Sequence, residues 1–187
     1  MKQAEDADHL LMRRVARKDA QAYRALVGKY LSFCVRFAER MTGNRQDAEE
    51  IAQDVCLKIW NEAGRWQPQA KFSTWLYRVV MNRCIDYKRK VVPLGVVDAE
   101  TIADGAPSAD DEMMREQQAV RVRLALKQLP ERQRAAIILS YYEGVTNQEA
   151  ADAMGMQLGA FQQLLFRARQ GLKEKLIEER LEMKNGR

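Results

Sequence analysis

Apolar positions recur at helical spacing along most of the chain. Over residues 22–41, Leu26, Val27, Tyr30, Phe33, Cys34 and Phe37 fall on one face of a 3.6-residue period. Gly43 and Asn44 supply a stop. Over residues 47–63, Ala48, Ile51, Ala52, Val55, Ile59 and Ala63 form a second stripe that ends at Gly64. A loop through Arg65, Trp66, Pro68 and Lys71 follows, and Ser73 or Thr74 is placed to cap a helix running to about Lys90. Further on, a helix over 113–129 stops before Pro130, another runs from Glu131 to near Gly144, and two shorter elements follow. The period-two alternation of half-buried strands is absent, so the pattern predicts an all-α protein.

Residues 146–169 carry a more specific pattern. Thr146 with Glu149 three residues on reads as a capping box. Ala150 and Ala151 are small enough to let a second helix cross closely, and Gly155 sits where the turn needs a left-handed residue. The second helix buries Phe161, Leu164, Leu165, Ala168 and Leu172, and shows Ala160, Gln162, Gln163, Arg167 and Arg169. This is a helix-turn-helix pattern. A glutamine can pair two hydrogen bonds with adenine or touch phosphate, and the arginines suit phosphate. The bland alternative is a helical hairpin with a solvated polar face.

Charge divides the chain. Of its 187 residues, 1–91 carry net +7, 92–116 carry net −6, and 117–187 carry net +4, giving +5 in all. The acidic block also holds Pro93, Gly95, Gly105 and Pro107, a linker composition. The predicted organisation is therefore a helical module over 1–91, an acidic linker over 92–112 and a second helical module over 113–187. A net-positive chain with two basic blocks favours a polyanionic partner.

Within the first module, residues 71–90 hold six cations, one acid and four interleaved aromatics. Cations attract phosphates and aromatic faces stack on unpaired bases, so this segment suits single-stranded nucleic acid. Asn82 could bond an exposed base edge, and the loop with Trp66 and Lys71 could pocket a flipped base. Against that reading, Phe72, Trp75, Leu76, Val79 and Val80 also fit a core. The helix before it sets Glu50, Gln53, Asp54 and Lys58 beside its apolar stripe, either a solvated face or a dock for a basic helix.

The chemistry of catalysis finds few residues. The chain has one histidine, His9, no G-x-x-x-x-G-K-[ST] and no G-x-G-x-x-G. Cys34, Cys56 and Cys84 form no C-x-x-C pair and read as small apolar side chains. No cofactor, metal or small-molecule substrate is expected. No run of about 18 apolar residues is present, and the acidic, polar start lacks the features of a signal peptide. A cytoplasmic setting is expected.

Taken together, these pieces resemble the extracytoplasmic-function (group 4) sigma factors of bacterial RNA polymerase, in the sigma-70 family. The resemblance rests on Gly43 with residues 47–55 and Trp60, on residues 71–78 with Asn82, Arg83, Ile85 and Asp86, and on Leu126, Leu129, Pro130 and residues 132–134. Glu149, Ala150, Ala151 and residues 166–169 complete it. It implies two small helical domains, sigma-2 and sigma-4, on a flexible linker. It assigns Glu50, Gln53, Asp54 and Lys58 to core polymerase, chiefly the β′ coiled coil with β nearby. It assigns Trp66, Lys71, Phe72, Ser73, Trp75, Tyr77, Arg78, Asn82, Arg83, Lys88 and Arg89 to the melted minus-10 element. Gln157, Ala160, Gln162, Gln163, Arg167 and Arg169 would read the minus-35 element. The linker would thread toward the RNA exit path, and an anti-sigma factor, often membrane-anchored, would hold the protein inactive.

The chain departs from the family where Ala160, Phe161 and Gln162 replace a threonine, a valine and a basic residue, which predicts weaker phosphate anchoring and an unusual minus-35 preference. Two other readings compete: a stand-alone helix-turn-helix regulator of duplex DNA, and an all-α adaptor for acidic proteins. The regulator reading leaves the 50–58 face and the aromatic–basic segment without a use, and a salt-insensitive, DNA-independent partner would favour the adaptor.

Overall fold

The computed structural model describes residues 7–68, 70–91 and 109–185. They form eight helices and, among the described residues, no strand: α1 (Ala7–Ala16), α2 (Ala20–Thr42), α3 (Arg45–Glu62), α4 (Phe72–Val91), α5 (Ala109–Gln128), α6 (Glu131–Ile137), α7 (Asn147–Ala153) and α8 (Leu158–Asn185). Helices α1–α4 make one bundle and α5–α8 another. The expected linker lies outside the described residues except for 109–112, which already belong to α5. That helix begins four residues before the expected 113.

In the first bundle, the predicted stripes are the core except at Val27, which is half-buried outside it, and Tyr30, which packs on its edge. Leu26, Phe37, Ile51, Val55, Ile59, Leu76 and Val80 are all at most 1% exposed. Gly43 ends α2 at φ 74°, and its amide donates to Glu39 O at 2.6 Å. Asn44 is not only part of that stop: its side chain accepts from the Asp47 amide at 3.0 Å, so α3 begins at Arg45. Helix α4 also begins early, at Phe72. Thr74 is buried rather than capping, and the Trp75 amide donates to Lys71 O.

Helix α1 was not read from the sequence. Its inward positions are Asp8, Met12 and Val15, and an aspartate interrupts the apolar stripe. Asp8 is buried but accepts from Lys29 Nζ at 2.7 and 2.8 Å and from the Tyr30 hydroxyl, which meets the cost of burying its charge.

In the second bundle, Phe161, Leu165 and Ala168 of α8 close on Ala150, Ala151 and Leu139. The capping box forms: Glu149 N donates to Thr146 Oγ1 at 3.2 Å, and Thr146 N to Glu149 Oε2 at 3.3 Å. Gly155 takes φ 64°, and the Met156 amide closes the turn on Ala151 O at 3.0 Å. Two features depart from expectation. Helix α6 continues as a π-helical turn, Ile138–Tyr142, and α8 is a long element of 28 residues.

The two bundles pack on each other, and their buried side chains form one continuous core. Helix α7 lies on α4, and the π turn lies on α2. Arg134, 1% exposed, sits at the junction. It donates to the α5 carbonyls of Leu126 at 2.7 Å and Lys127, to Leu129 O at 3.0 Å, and across the junction to Met41 O at 2.5 Å.

Candidate nucleic-acid interface

Helix α4 turns Phe72, Leu76, Val79, Val80 and Cys84 inward, which leaves Arg78, Asn82 and Asp86 as an exposed ridge at i, i+4 and i+8. Ser73, Trp75 and Tyr77 are half-buried on its flanks. Trp75 leans on Phe72 with ring centroids 5.5 Å apart, and Tyr77 on Phe33 at 4.6 Å. Burial, with Glu149 and Glu143 nearby, pushes the Tyr77 hydroxyl pKa up. Phe72 itself has no exposed surface. Its expected place on DNA is therefore corrected: its ring is core, set between Tyr30, Trp66 and Trp75.

Trp66, in the loop before α4, is half-buried. Its ring meets His9 edge-on at 5.0 Å and Phe72 at 6.1 Å. His9 also reaches Ala70 O at 3.2 Å, so one side chain of α1 holds this loop at two points. Lys71 is exposed and its Nζ meets Glu149 Oε1 at 2.9 Å. Of Lys88 and Arg89 only the helical backbone is described.

Glu50, Gln53 and Lys58 are exposed on α3, and Asp54 is half-buried. Lys58 approaches Glu62 at 3.6 Å, one turn on. Leu57, 57% exposed, stands one turn from Gln53 in the same patch, and the sequence reading passed it over because an isolated leucine breaks no pattern. The α3 and α4 sets are joined. Arg83 donates to Asp54, and the Tyr87 hydroxyl reaches Asp47 Oδ1 at 3.0 Å and Glu50 Oε2 at 3.2 Å. Desolvation and these two carboxylates push the Tyr87 pKa up to about 12. Tyr87 was not among the predicted site residues, since nothing in one sequence says which acids face it.

On the second bundle, Gln157, Ala160, Gln162, Gln163, Arg167 and Arg169 are all exposed. They do not share one line. Successive helical residues turn by about 100°, so Gln162 and Gln163 diverge, with Arg169 on the Gln162 flank and Ala160 and Arg167 on the other. Between the flanks stands Phe166, 55% exposed. Arg169 Nη1 donates to the Tyr141 hydroxyl at 3.2 Å.

The surface thus combines a ridge of one cation, one amide and one acid beside half-buried aromatics, an acidic patch on a neighbouring helix, and a helix-turn-helix with an open second helix. The family models of Sigma-70 region 2 and Sigma-70 region 4 match residues 26–92 and 119–172. The ECF RNA polymerase sigma factor RpoE of Cereibacter sphaeroides is 30% identical over 143 residues, covering 76% of this chain and 79% of the relative. The chain belongs to the extracytoplasmic-function sigma factors of RNA polymerase. The sigma factor is also 28% identical to the RNA polymerase sigma-H factor of Pseudomonas aeruginosa over 186 residues, 92% of this chain and 95% of that one. Its fold matches CnrH, solved with the cytosolic domain of CnrY, at a TM-score of 0.67 and 22% identity, over 92% of this chain and 99% of that chain. It matches RpoE from Bartonella quintana, solved with the anti-sigma factor NepR, at 0.66 and 22%, over 84% and 98%. The sigma factor is thus a transcription initiation factor.

Proposed function

We propose that this sigma factor joins core RNA polymerase through the α3 patch, binds the melted minus-10 strand along α4, and reads the minus-35 duplex with α8. The observation that carries this is the division of labour between two bundles of one chain. One presents cations and an amide beside aromatics, as unpaired strands require, and the other an open helix-turn-helix, as a groove requires. Residues 1–91 act as the polymerase and minus-10 module, 113–187 as the minus-35 module, and 92–112 as the linker between them.

On α4 the bases would meet Trp75, Tyr77 and Asn82, while Lys71, Ser73, Arg78, Arg83, Lys88 and Arg89 face the backbone. Trp66 and Lys71 border the pocket for an extruded base. The Glu50, Gln53, Asp54 and Lys58 patch, with Leu57 as its apolar centre, suits the basic β′ coiled coil, a few charges around one buried anchor. The protein works in the cytoplasm as a specificity subunit, not as a catalyst, and takes no cofactor or small-molecule substrate. A similarly folded sigma factor is solved with an anti-sigma factor, and another with the cytosolic domain of its partner. By that likeness an anti-sigma factor, in some settings membrane-anchored, holds this one inactive and releases it on a signal.

The discriminating experiment is binding to promoter DNA with and without core polymerase. The sigma reading expects stable, strand-opening complexes only with core. Equally tight and specific binding by the chain alone would favour a stand-alone regulator.

A further inference from the structure

Two of the residues assigned to melted DNA are already engaged, and the other bundle engages them. Arg78 Nη2 donates to Asp152 O at 2.6 Å and its Nε to Ala153 O at 3.1 Å. These are carbonyls at the end of α7, where a helix has acceptors to spare and a negative dipole end. Arg132, from the second bundle itself, donates to Met154 O at 3.0 Å. The end of α7 is thus held by one arginine from each bundle. In its first turn, Glu149 takes Lys71 at 2.9 Å. Behind it, Glu143 is gripped by Arg36 at 3.2 Å and Arg40 at 3.1 Å, and Arg40 also lies over the Tyr142 ring.

We propose that this arrangement is an autoinhibited form of the sigma factor, in which α7 stands in for the backbone of the minus-10 strand. Backbone carbonyls and a carboxylate occupy the cations that DNA phosphates would otherwise meet. The inference rests on the assignment of α4 to melted DNA. It goes beyond that assignment in saying that the chain masks its own site, and masks it selectively. The face of α8 and the exposed part of the α3 patch remain open in the same form. The free protein is therefore able to touch duplex DNA and polymerase while Lys71 and Arg78 of its single-strand site are engaged by α7. The contacts that hold Lys71 and Arg78 on α7 are exposed or part-buried, weak alone and sensitive to salt, although Arg134 with Met41 and the shared apolar core behind them are buried. A polyanion offering several phosphates together can displace them. Apparent affinity for single strands falls by the fraction of molecules that are open.

The test changes only the masking side. In Glu143→Gln combined with Glu149→Gln, glutamine keeps the capping box at 149 but removes the charge that holds Lys71, and at 143 the charge that holds Arg36 and Arg40. The purified full chain is titrated with a fluorescein-labelled single-stranded 20-mer of mixed sequence, and with a duplex of the same length. Circular dichroism verifies that the variant is folded. The expected result is about a 5- to 10-fold gain on the single strand, with the duplex changed less than about twofold. No gain, or an equal gain on both, overturns the proposal, because it would reflect net charge alone.

A second measurement needs no variant. Carbodiimide couples adjacent amines and carboxylates, and peptide mass spectrometry of the wild-type chain should find Lys71 joined to Glu149. That product should fall when core polymerase and single-stranded DNA are added. Its absence from the free chain, or its persistence in the complex, contradicts the closed form. The functional reading is judged separately. If wild-type chain with core starts no transcripts, that reading fails and the proposal falls with it. Transcription without the single-strand gain removes the masking alone.

Discussion

Asp54 on α3 and Arg83 on α4 share a two-pronged ion pair in which Arg83 Nε lies 2.7 Å from Asp54 Oδ2 and Nη2 donates to the same oxygen. By sequence they belong to different tasks, polymerase docking and DNA contact. The structure makes each the other's partner, and Tyr87 adds a second link through Asp47 and Glu50. On the proposed assignment, a basic partner helix that drew Asp54 and Glu50 toward itself would free Arg83 and Tyr87 on α4.

That relationship can be measured. Both side chains keep a quarter or more of their surface, 26% for Arg83 and 38% for Asp54, so the pair contributes no more than about 1 kcal/mol to folding. Asp54→Asn should lower Tm by only a few degrees, yet reduce core affinity about tenfold or more, a loss of about 1.4 kcal/mol. Stability is read by thermal unfolding and affinity by fluorescence anisotropy. Unchanged core affinity would remove α3 as the dock.

Acid should loosen the contact between α7 and α4. Glu149 has its pKa held below the ordinary 4.5, first by the hydrogen bond from Lys71 and then by Thr146. A depressed carboxylate stabilises the folded arrangement above its unfolded pKa, and that contribution is lost as pH falls through the folded one. Stability should therefore drop below about pH 4.5, and Glu149→Gln should flatten that part of the profile. Denaturant midpoints between neutral pH and about pH 3 give the comparison.

Thr146→Ala removes the cap of a seven-residue helix. The expected cost is about 1 kcal/mol by urea unfolding. Because α7 sets the angle of α8, minus-35 duplex affinity should fall as well, while single-strand affinity holds or rises.

Phe166→Ala probes the open face of α8. A ring 55% exposed adds little to folding, so Tm should stay within about two degrees. Minus-35 affinity should drop about 5-fold or more if the ring meets thymine methyls or the sugar edge. Equal affinity would place the reading on the flanking glutamines alone.

The cysteines should separate by reactivity. Burial pushes the thiols of Cys34 and Cys84 up to about 12, and that of half-buried Cys56 up less far. At pH 8 a thiol reagent should label Cys56 first, and all three only in denaturant. Fast labelling of Cys84 would mean that α4 leaves its bundle readily.

Much of this was legible because local rules agree with tertiary packing here. Stripes at Leu26, Phe33 and Phe37 and at Ile51, Val55 and Ile59 had one consistent inner face, and Thr146, Glu149 and Gly155 obey capping and turn chemistry that needs no distant partner. The failures share a physical cause, since each depended on a partner far along the chain. Helix α1 hid behind Asp8, whose burial is intelligible only with Lys29 and Tyr30. Phe72 suits DNA stacking by sequence alone, because nothing local says that Trp66 and Tyr30 enclose it. Arg134 looks like any charged helix residue until Met41 and the end of α5 surround it. The packing of one bundle on the other was equally invisible, being written in pairs such as Lys71 with Glu149.

The most direct test of the central claim is run-off transcription with purified core RNA polymerase on a fragmented genomic template, with and without the protein. The account predicts discrete new transcripts that begin just downstream of a shared two-part motif and that weaken with Asp54→Asn. No new transcripts, together with failure of the chain to bind core polymerase, would contradict it.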